Sequence, residues 1–357
     1  MSVKILPYDY ISKKLFRACH KKRIPYRIMF ELTYRCNFNC VHCYIPNNQK
    51  ILSKEKELNT ADIFKIIDQI EKAGCFILGF TGGEIFLRED IWEILHYAKV
   101  KGFNIILLTN GYFIDKKAAD MLKLISPNKI DISLHSLNED VFDNITGLKN
   151  SFKRVMNAIK LLRERKIPFM IKSCNLKQNK NEFRDLENFA RSRNIPYRIG
   201  GDITPKTDGS TEVMKHALPA ESLLETSCDF DHLKQPLKIQ DIKFTKLKYK
   251  QRLFSCGVGY TVASINPFGQ LKPCLEINKP QYNILSGSFK KGWSMLKGFV
   301  DNLELPEDFP CLKCNLYYYC NSCPGKSWIE NNSLYTCPRR EKEKASTLKK
   351  LFDKINK

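Results

Sequence analysis

The chain has 357 residues, of which 43% are hydrophobic, 11% aromatic and 27% charged. These proportions exclude wholesale disorder, and the length predicts about two domains. No apolar run approaches the ~18 residues that a membrane helix needs. The N-terminal sequence MSVKILPYDY also lacks the apolar region of a signal peptide. We therefore expect a cytoplasmic protein that makes no contact with a membrane.

A net charge of +21 is concentrated toward the two ends of the chain. Residues 1–27 form a basic N-terminal extension, and residues 341–357 form a basic C-terminal tail. Two interpretations remain open: attraction to an acidic partner such as an acidic peptide, or solvated tails without a partner. No basic stripe interleaved with aromatic residues supports nucleic-acid binding.

The first two hundred residues alternate between the periodicity of strands and that of helices. The predicted strands are 28–33, 75–80, 103–108, 130–134, 168–173 and 196–200. The predicted helices are 60–74, with Thr60 as N-cap, 91–102, 115–125, 151–162, with Ser151 as N-cap, and 181–193. Right-handed crossovers of this length predict a parallel sheet. Periodicity alone leaves open whether this sheet is doubly wound or an incomplete barrel.

Each predicted strand ends at polar or glycine-rich residues, among them Thr81-Gly82-Gly83-Glu84 and Thr109-Asn110-Gly111. Since ligands bind at the carboxyl ends of strands in parallel α/β folds, these ends predict one shared site. The alternation stops near residue 205. Residues 206–255 form a polar bridge, and residues 256–340 carry seven cysteines with little apolar periodicity. We expect this last segment to fold around metal.

Cys36, Cys40 and Cys43 form a C-x-x-x-C-x-x-C motif directly after the first strand. In a chain without an export signal, clustered cysteines favour metal ligation over disulfides. Three thiolates can hold three irons of a cubane cluster and leave the fourth iron open for a substrate or cofactor. Zinc is the alternative, with His42 as a fourth ligand, but the adjacency of His42 to Cys43 makes joint chelation awkward. The motif therefore favours an iron–sulfur cluster.

Roughly residues 28–205 resemble the radical S-adenosylmethionine (SAM) superfamily. The resemblance rests on this cysteine motif, on the Gly-Gly-Glu at the end of the second strand and on the six-strand β/α array. The resemblance implies a partial (β/α)6 barrel and a [4Fe-4S] cluster whose open iron binds SAM. It also implies reductive cleavage of SAM to a 5′-deoxyadenosyl radical, which abstracts a hydrogen atom from the substrate. The reducing electron would come from a flavodoxin- or ferredoxin-type donor.

The same resemblance assigns SAM-binding roles to residues at the strand ends. Gly82 and Gly83 would let the backbone approach the cofactor, and Glu84 would accept hydrogen bonds from its ammonium group. His42 occupies the position that lies near the adenine, and Ser133 the position that contacts the ribose. An ordinary turn remains the alternative for the Gly-Gly-Glu and for Ser133.

The C-terminal cysteines resemble a SPASM domain, which binds two auxiliary [4Fe-4S] clusters. That pattern assigns Cys311, Cys314, Cys320 and Cys337 to one cluster, and Cys256, Cys274 and Cys323 to the other. Cys320 and Cys323 are separated by two residues where the pattern has three. No fourth ligand of the second cluster is evident, so that cluster is either open or reached by Cys228. A zinc-ribbon-like structural domain is the alternative.

Cys174 follows the fifth strand, at the rim where a substrate would lie. Its thiol is a candidate hydrogen-atom donor to a substrate radical, which would make the enzyme an epimerase; the alternative is a small buried apolar side chain.

The sequence thus predicts a radical SAM/SPASM enzyme that matures a precursor peptide or protein by a thioether or carbon–carbon crosslink, epimerisation or side-chain oxidation. Because only 27 residues precede the first strand, we expect a separate leader-recognition protein, or none. A tetrapyrrole- or haem-pathway enzyme, or one acting on another small molecule, is the alternative. A zinc-containing, basic nucleic-acid-binding protein is a more remote alternative.

Overall fold

The computed structural model describes residues 8–200, 202–226, 253–254, 256–320 and 323–355. Cys228 lies outside these residues. No helix in the described part of the chain combines the length and the apolar character that a bilayer crossing requires.

Nine strands form one sheet in the described residues. They are β1 Arg27–Thr33, β2 Ile77–Gly82, β3 Asn104–Thr109, β4 Lys129–Ser133, β5 Phe169–Ser173, β6 Tyr197–Ile199, β7 Val262–Ile265, β8 Gln270–Lys272 and β9 Tyr282–Asn283. Their spatial order is β6-β5-β4-β3-β2-β1-β7-β8-β9. Strands β1 to β6 are parallel neighbours in chain order. Because the order never reverses, right-handed crossovers place the helices on one face, which favours the partial barrel over the doubly wound sheet.

The helices connect these strands and continue beyond them. They are α1 Tyr8–Lys22, α2 Asn47–Lys56, α3 Thr60–Lys72, α4 Ile91–Val100, α5 Lys116–Ile125, α6 Glu139–Thr146, α7 Ser151–Glu164, α8 Phe183–Arg191, α9 Ala220–Thr226, α10 Phe289–Asp301, α11 Pro324–Asn331 and α12 Arg339–Ile355. The N-cap of α3 is Asn59 rather than Thr60, because the Asp62 amide donates to the Asn59 side chain. Likewise Ser151 is the first residue of α7, and Asn150 is the cap.

Alternate residues of the strands face the helical layer and form the core. Ile28 and Phe30 of β1 pack with Ile63 and Ile66 of α3 in one continuous apolar cluster. The opposite face of the sheet carries charged groups, since Glu31 of β1 and Asp131 of β4 are both buried. The interior of the barrel is therefore polar.

The cysteine-rich segment is more regular than its sequence predicts. Strand β7 pairs in parallel with β1, so the segment extends the barrel sheet. Phe254, Val258, Ile277 and Leu334 form a small buried cluster of their own. Apolar contacts therefore contribute to the folding of this segment, in addition to any contribution from bound metal.

Candidate active site

The cysteine loop leaves the carboxyl end of β1 and is fixed by the end of β2. The Gly83 amide donates to the Thr33 carbonyl, and the Glu84 amide donates to the Arg35 carbonyl, both at 2.8 Å. A Cβ at Gly82 or Gly83 would lie 2.1 Å from the carbonyl oxygens of Thr33 or Arg35, respectively. The two glycines are therefore needed for this close backbone approach.

Cys36, Cys40 and Cys43 are partly buried in this loop. Burial raises the pKa of the Cys36 thiol to about 11, and the neighbouring charges of Glu84 and Cys43 add to the rise. The charges of Cys43 and Cys36 also act on Cys40. The three thiols therefore interact electrostatically, and their joint ligation of one cluster stays a prediction.

Asn110, at the end of β3, contacts this loop; the sequence placed it at a polar strand end but assigned it no role. Its side-chain amide donates to Cys36 Sγ at 3.8 Å and to Asn37 Oδ1 at 2.8 Å. The backbone amide of Phe38 also donates to Cys36 Sγ, at 3.4 Å. Such donors stabilise negative charge on a metal-bound sulfur.

Glu84 is fully buried, and its carboxylate joins the ends of β2 and β3. It accepts hydrogen bonds from Thr109 Oγ1 at 2.8 Å, from the Asn110 amide at 2.8 Å and from the Phe86 amide at 3.1 Å. Burial nevertheless raises the pKa of Glu84 to about 7. The carboxylate thus holds two strand ends together beside the cysteine loop.

We expect Glu84→Gln to flatten the pH dependence of folding stability in the metal-free protein. Since the folded-state pKa lies above the unfolded one, the unfolded chain releases this proton first as pH rises. Stability should therefore fall by about 3 kcal/mol between roughly pH 4.5 and pH 7 in the wild type. Urea unfolding at about pH 5 and about pH 8 measures the difference. Glu93→Gln, at an exposed glutamate, is the control. If the unfolding free energy changed with pH by the same amount in both variants, the raised pKa of Glu84 would be contradicted.

His42 meets His135 and Cys174 at the ends of β4 and β5. The two imidazole rings are 4.7 Å apart in a T-shaped arrangement, and one ligand atom from each of the three residues lies within 4.8 Å of the others. Burial lowers the pKa of His42 to about 4 and that of His135 well below its usual range. Both rings are therefore neutral at pH 7. The Cys174 amide donates to His135 Nδ1 at 3.2 Å, which places the His135 proton on Nε2.

Asn179 fixes this group and was also missed by the sequence. Its fully buried side chain donates to the His135 carbonyl at 2.6 Å and to the Cys174 carbonyl at 3.0 Å. Burial raises the pKa of the Cys174 thiol to about 11, so the thiol stays protonated. Ser133 ends β4 two residues before His135 and is half-buried.

Three polar atoms, two in the cysteine loop and one just after β5, fit a polar cofactor. His42 Nδ1, Asn37 Nδ2 and Asn175 Oδ1 are buried and have no hydrogen-bond partner among the described residues. Since unpaired buried polar atoms are costly, they favour a ligand with both donors and acceptors. Together with three soft thiol donors on one loop, this set fits an iron–sulfur cluster bound to a zwitterionic nucleoside such as SAM.

A buried ion pair links the cysteine loop to the C-terminal segment. Lys272 of β8 lies 3.0 Å from the Glu31 carboxylate of β1, and both are almost fully buried. Tyr34 and Tyr44, which flank the cysteine motif, donate to Glu31 at 3.0 and 3.1 Å. Lys272 also precedes Cys274 by two residues. The network therefore joins the two cysteine-bearing regions.

The sequence assigns the C-terminal cysteines to two groups. In the first group, the charges of Cys311 and Cys314 act on Cys337, and those of Cys311 and Cys320 act on Tyr317. In the second, burial raises the pKa of Cys274 to about 12, with further contributions from Glu276 and Cys323. Glu276 also acts on the thiol of Cys256. The two ligand sets stay a prediction, and Glu276 lies beside the second through its contact with Cys323.

Comparisons with known proteins agree with this geometry. Residues 30–190 match the family model of the radical SAM superfamily. The AdoMet-dependent heme synthase of Methanosarcina barkeri is 26% identical over 320 residues, covering 84% of this chain and 90% of that protein. The subtilosin biosynthesis protein AlbA of Bacillus subtilis is 28% identical over 261 residues, covering 70% of this chain and 55% of AlbA.

Solved structures show the same fold over nearly the whole chain. The crystal structure of Streptococcus suis SuiB bound to S-adenosylmethionine superposes with a TM-score of 0.70 and 18% identity, covering 95% of this chain and 84% of SuiB. Over most of its length the chain is similar to AlbA and SuiB, and its residues 30–190 form a domain of the radical SAM superfamily. This class uses SAM and a [4Fe-4S] cluster.

Proposed function

We propose that this enzyme modifies a peptide or protein substrate. Cys36, Cys40 and Cys43 would hold the cluster that binds SAM, and the bound pair would supply a 5′-deoxyadenosyl radical for hydrogen abstraction. Gly82, Gly83, Glu84, His42 and Ser133 would line the SAM site. The C-terminal cysteines would hold two auxiliary [4Fe-4S] clusters.

A cleft of about 570 Å³ beside the cysteine loop carries this proposal. It lies between Tyr34 with α2 and the β8–β9 region, and side-chain carboxamides and lysines dominate its lining, for example Gln49, Gln281, Lys56 and Lys279. Carboxamides can pair with the donors and acceptors of a peptide backbone, and lysines attract acidic side chains. The precursor peptide bound in a SuiB structure supports the same substrate class.

A tetrapyrrole substrate is the second candidate, because the similarity to the heme synthase covers 90% of that protein. A flat macrocycle favours a pocket lined mostly by apolar and aromatic side chains. The cleft described above has only a few such residues, including Leu52 and Phe268. Its chemistry therefore favours the peptide.

The test is an anaerobic reaction in deuterated water with reductant, SAM and a candidate precursor peptide. We expect release of 5′-deoxyadenosine together with a change in the peptide. Loss of two hydrogen atoms indicates a crosslink or oxidation, whereas deuterium uptake without such loss indicates epimerisation. In the second case Cys174→Ala should abolish deuterium uptake if Cys174 is the donor.

A tetrapyrrole that bears propionate side chains is tested in a parallel reaction under the same conditions. Turnover of this compound, with the peptide unchanged, would contradict the proposed substrate class and support the alternative.

Lys279→Gln, which removes an exposed positive charge from the cleft, should raise KM for an acidic peptide while kcat changes little. Lys290→Gln, at an exposed lysine outside the cleft lining, is the matched control.

A further inference from the structure

We propose that the Glu276 carboxylate is the fourth protein ligand of the auxiliary cluster held by Cys256, Cys274 and Cys323. This inference rests on the proposed cofactor set, and it identifies a ligand that the cysteine pattern does not supply. Three thiolates leave one iron of a cubane without a protein donor, and a carboxylate is a competent oxygen ligand for iron.

Geometry places Glu276 among these cysteines. Its Oε2 atom accepts from Cys323 Sγ at 3.4 Å, and it follows Cys274 by two residues. Glu276 is thus tied to two of the three cysteines, to Cys323 by contact and to Cys274 by its place in the chain.

Glu276 forms no salt bridge in the part of the chain that the structure describes. Within the described residues, no lysine, arginine or histidine nitrogen lies within 4.0 Å of its carboxylate. Lys326, on the adjacent helix α11, instead pairs with Glu341 at 2.5 Å. A half-buried carboxylate without a cation is unfavourable, and a metal ion would supply the missing positive charge.

Gly325 makes room for this carboxylate at the start of α11. A Cβ at that position would lie 2.2 Å from Glu276 Oε2 and 3.0 Å from Glu276 Cβ. Trp328, one turn further along α11, donates to Asn278 Oδ1 at 2.9 Å and fixes the helix against the segment that carries Glu276. The local packing thus holds the carboxylate beside Cys323.

The test uses the full chain in which Cys36, Cys40 and Cys43 are all alanine, so that the remaining iron is auxiliary. After anaerobic reconstitution this background should hold about eight iron atoms per chain. Glu276→Gln should lose about one of them and show the EPR signal of a [3Fe-4S]+ cluster after oxidation, because the weakly held iron dissociates. Glu276→Cys, which offers a thiolate, should restore the fourth iron and suppress that signal.

Glu330→Gln is the matched control, since it changes another half-buried glutamate of the same region and should keep about eight irons. An unchanged iron content and no [3Fe-4S]+ signal in Glu276→Gln would overturn the ligand proposal alone. If Glu276→Gln loses about four irons and neither Glu276→Cys nor Glu276→Asp restores them, the loss reflects a folding defect. That result would also overturn the ligand proposal. A background that holds about four irons or fewer would refute the proposed cofactor set itself.

Discussion

Replacing Cys36, Cys40 and Cys43 together by alanine should remove about four of about twelve iron atoms per chain and reduce 5′-deoxyadenosine formation to background. The reason is that, in the proposed assignment, each of these thiolates holds one iron of the SAM-binding cluster and the C-terminal cysteines hold the other two clusters. Iron and sulfide analysis after anaerobic reconstitution, followed by chromatography of the nucleoside product, measures both effects.

Cys75→Ala is the matched control for this experiment. Cys75 is buried, and its thiol donates to the Ile77 carbonyl at 3.3 Å, in the core rather than in the cysteine loop. This variant should keep its full iron content and its nucleoside product. A triple variant that retained about twelve irons, or that still cleaved SAM, would contradict the cluster assignment.

Lys272→Met should destabilise the protein by about 3–5 kcal/mol, because it leaves the Glu31 carboxylate buried without a cation. Glu31 is fully buried and Lys272 is 5% exposed, so water cannot replace the lost partner. Methionine has a similar volume, which keeps the change in packing small. Urea unfolding of the metal-free protein, monitored by circular dichroism, measures the difference.

The double variant Glu31→Gln with Lys272→Met separates charge from packing. Because it removes both charges, it should recover most of the stability that Lys272→Met loses. The exposed Lys279→Met should stay within about 0.5 kcal/mol of the wild type. A Lys272→Met protein as stable as this control would show that the buried pair contributes nothing to folding.

Periodicity predicted the β/α array because it depends on local patterns. Each of the six strands in the first two hundred residues lies within one or two residues of its expected position, and the apolar spacing of Ile63, Ile66, Ile67 and Ile70 predicted the buried face of α3. The cap of α3 was misplaced by one residue because Asn59 and Thr60 are both good caps, and only the hydrogen bond distinguishes them.

The C-terminal strands could not be predicted in the same way. Strands β7, β8 and β9 have four, three and two residues, too few to show an alternation. Strand β7 pairs with β1 across more than two hundred residues of sequence, and β8 and β9 are added to the sheet through β7. Local pattern therefore suggested an irregular metal-bound segment where the sheet in fact continues.

The cysteine and Gly-Gly-Glu motifs could be found because their residues are contiguous. Asn110, His135 and Asn179 follow three different strands and meet only when the barrel brings those strand ends together. Glu276 lies outside any spacing rule for cysteines and is distinguished by its contact with Cys323, 47 residues away. Such residues require the fold before their role can be proposed.

The central claim is that the cysteine loop leaves one iron open and that SAM binds to it through its amino and carboxylate groups. Electron–nuclear double resonance of the reduced holoenzyme with SAM labelled at its amino nitrogen tests this directly. We expect a coupling between the labelled nitrogen and the reduced cluster, which is lost in the variant with alanine at Cys36, Cys40 and Cys43. A SAM-saturated enzyme with an intact reduced cluster and no such coupling would contradict the account.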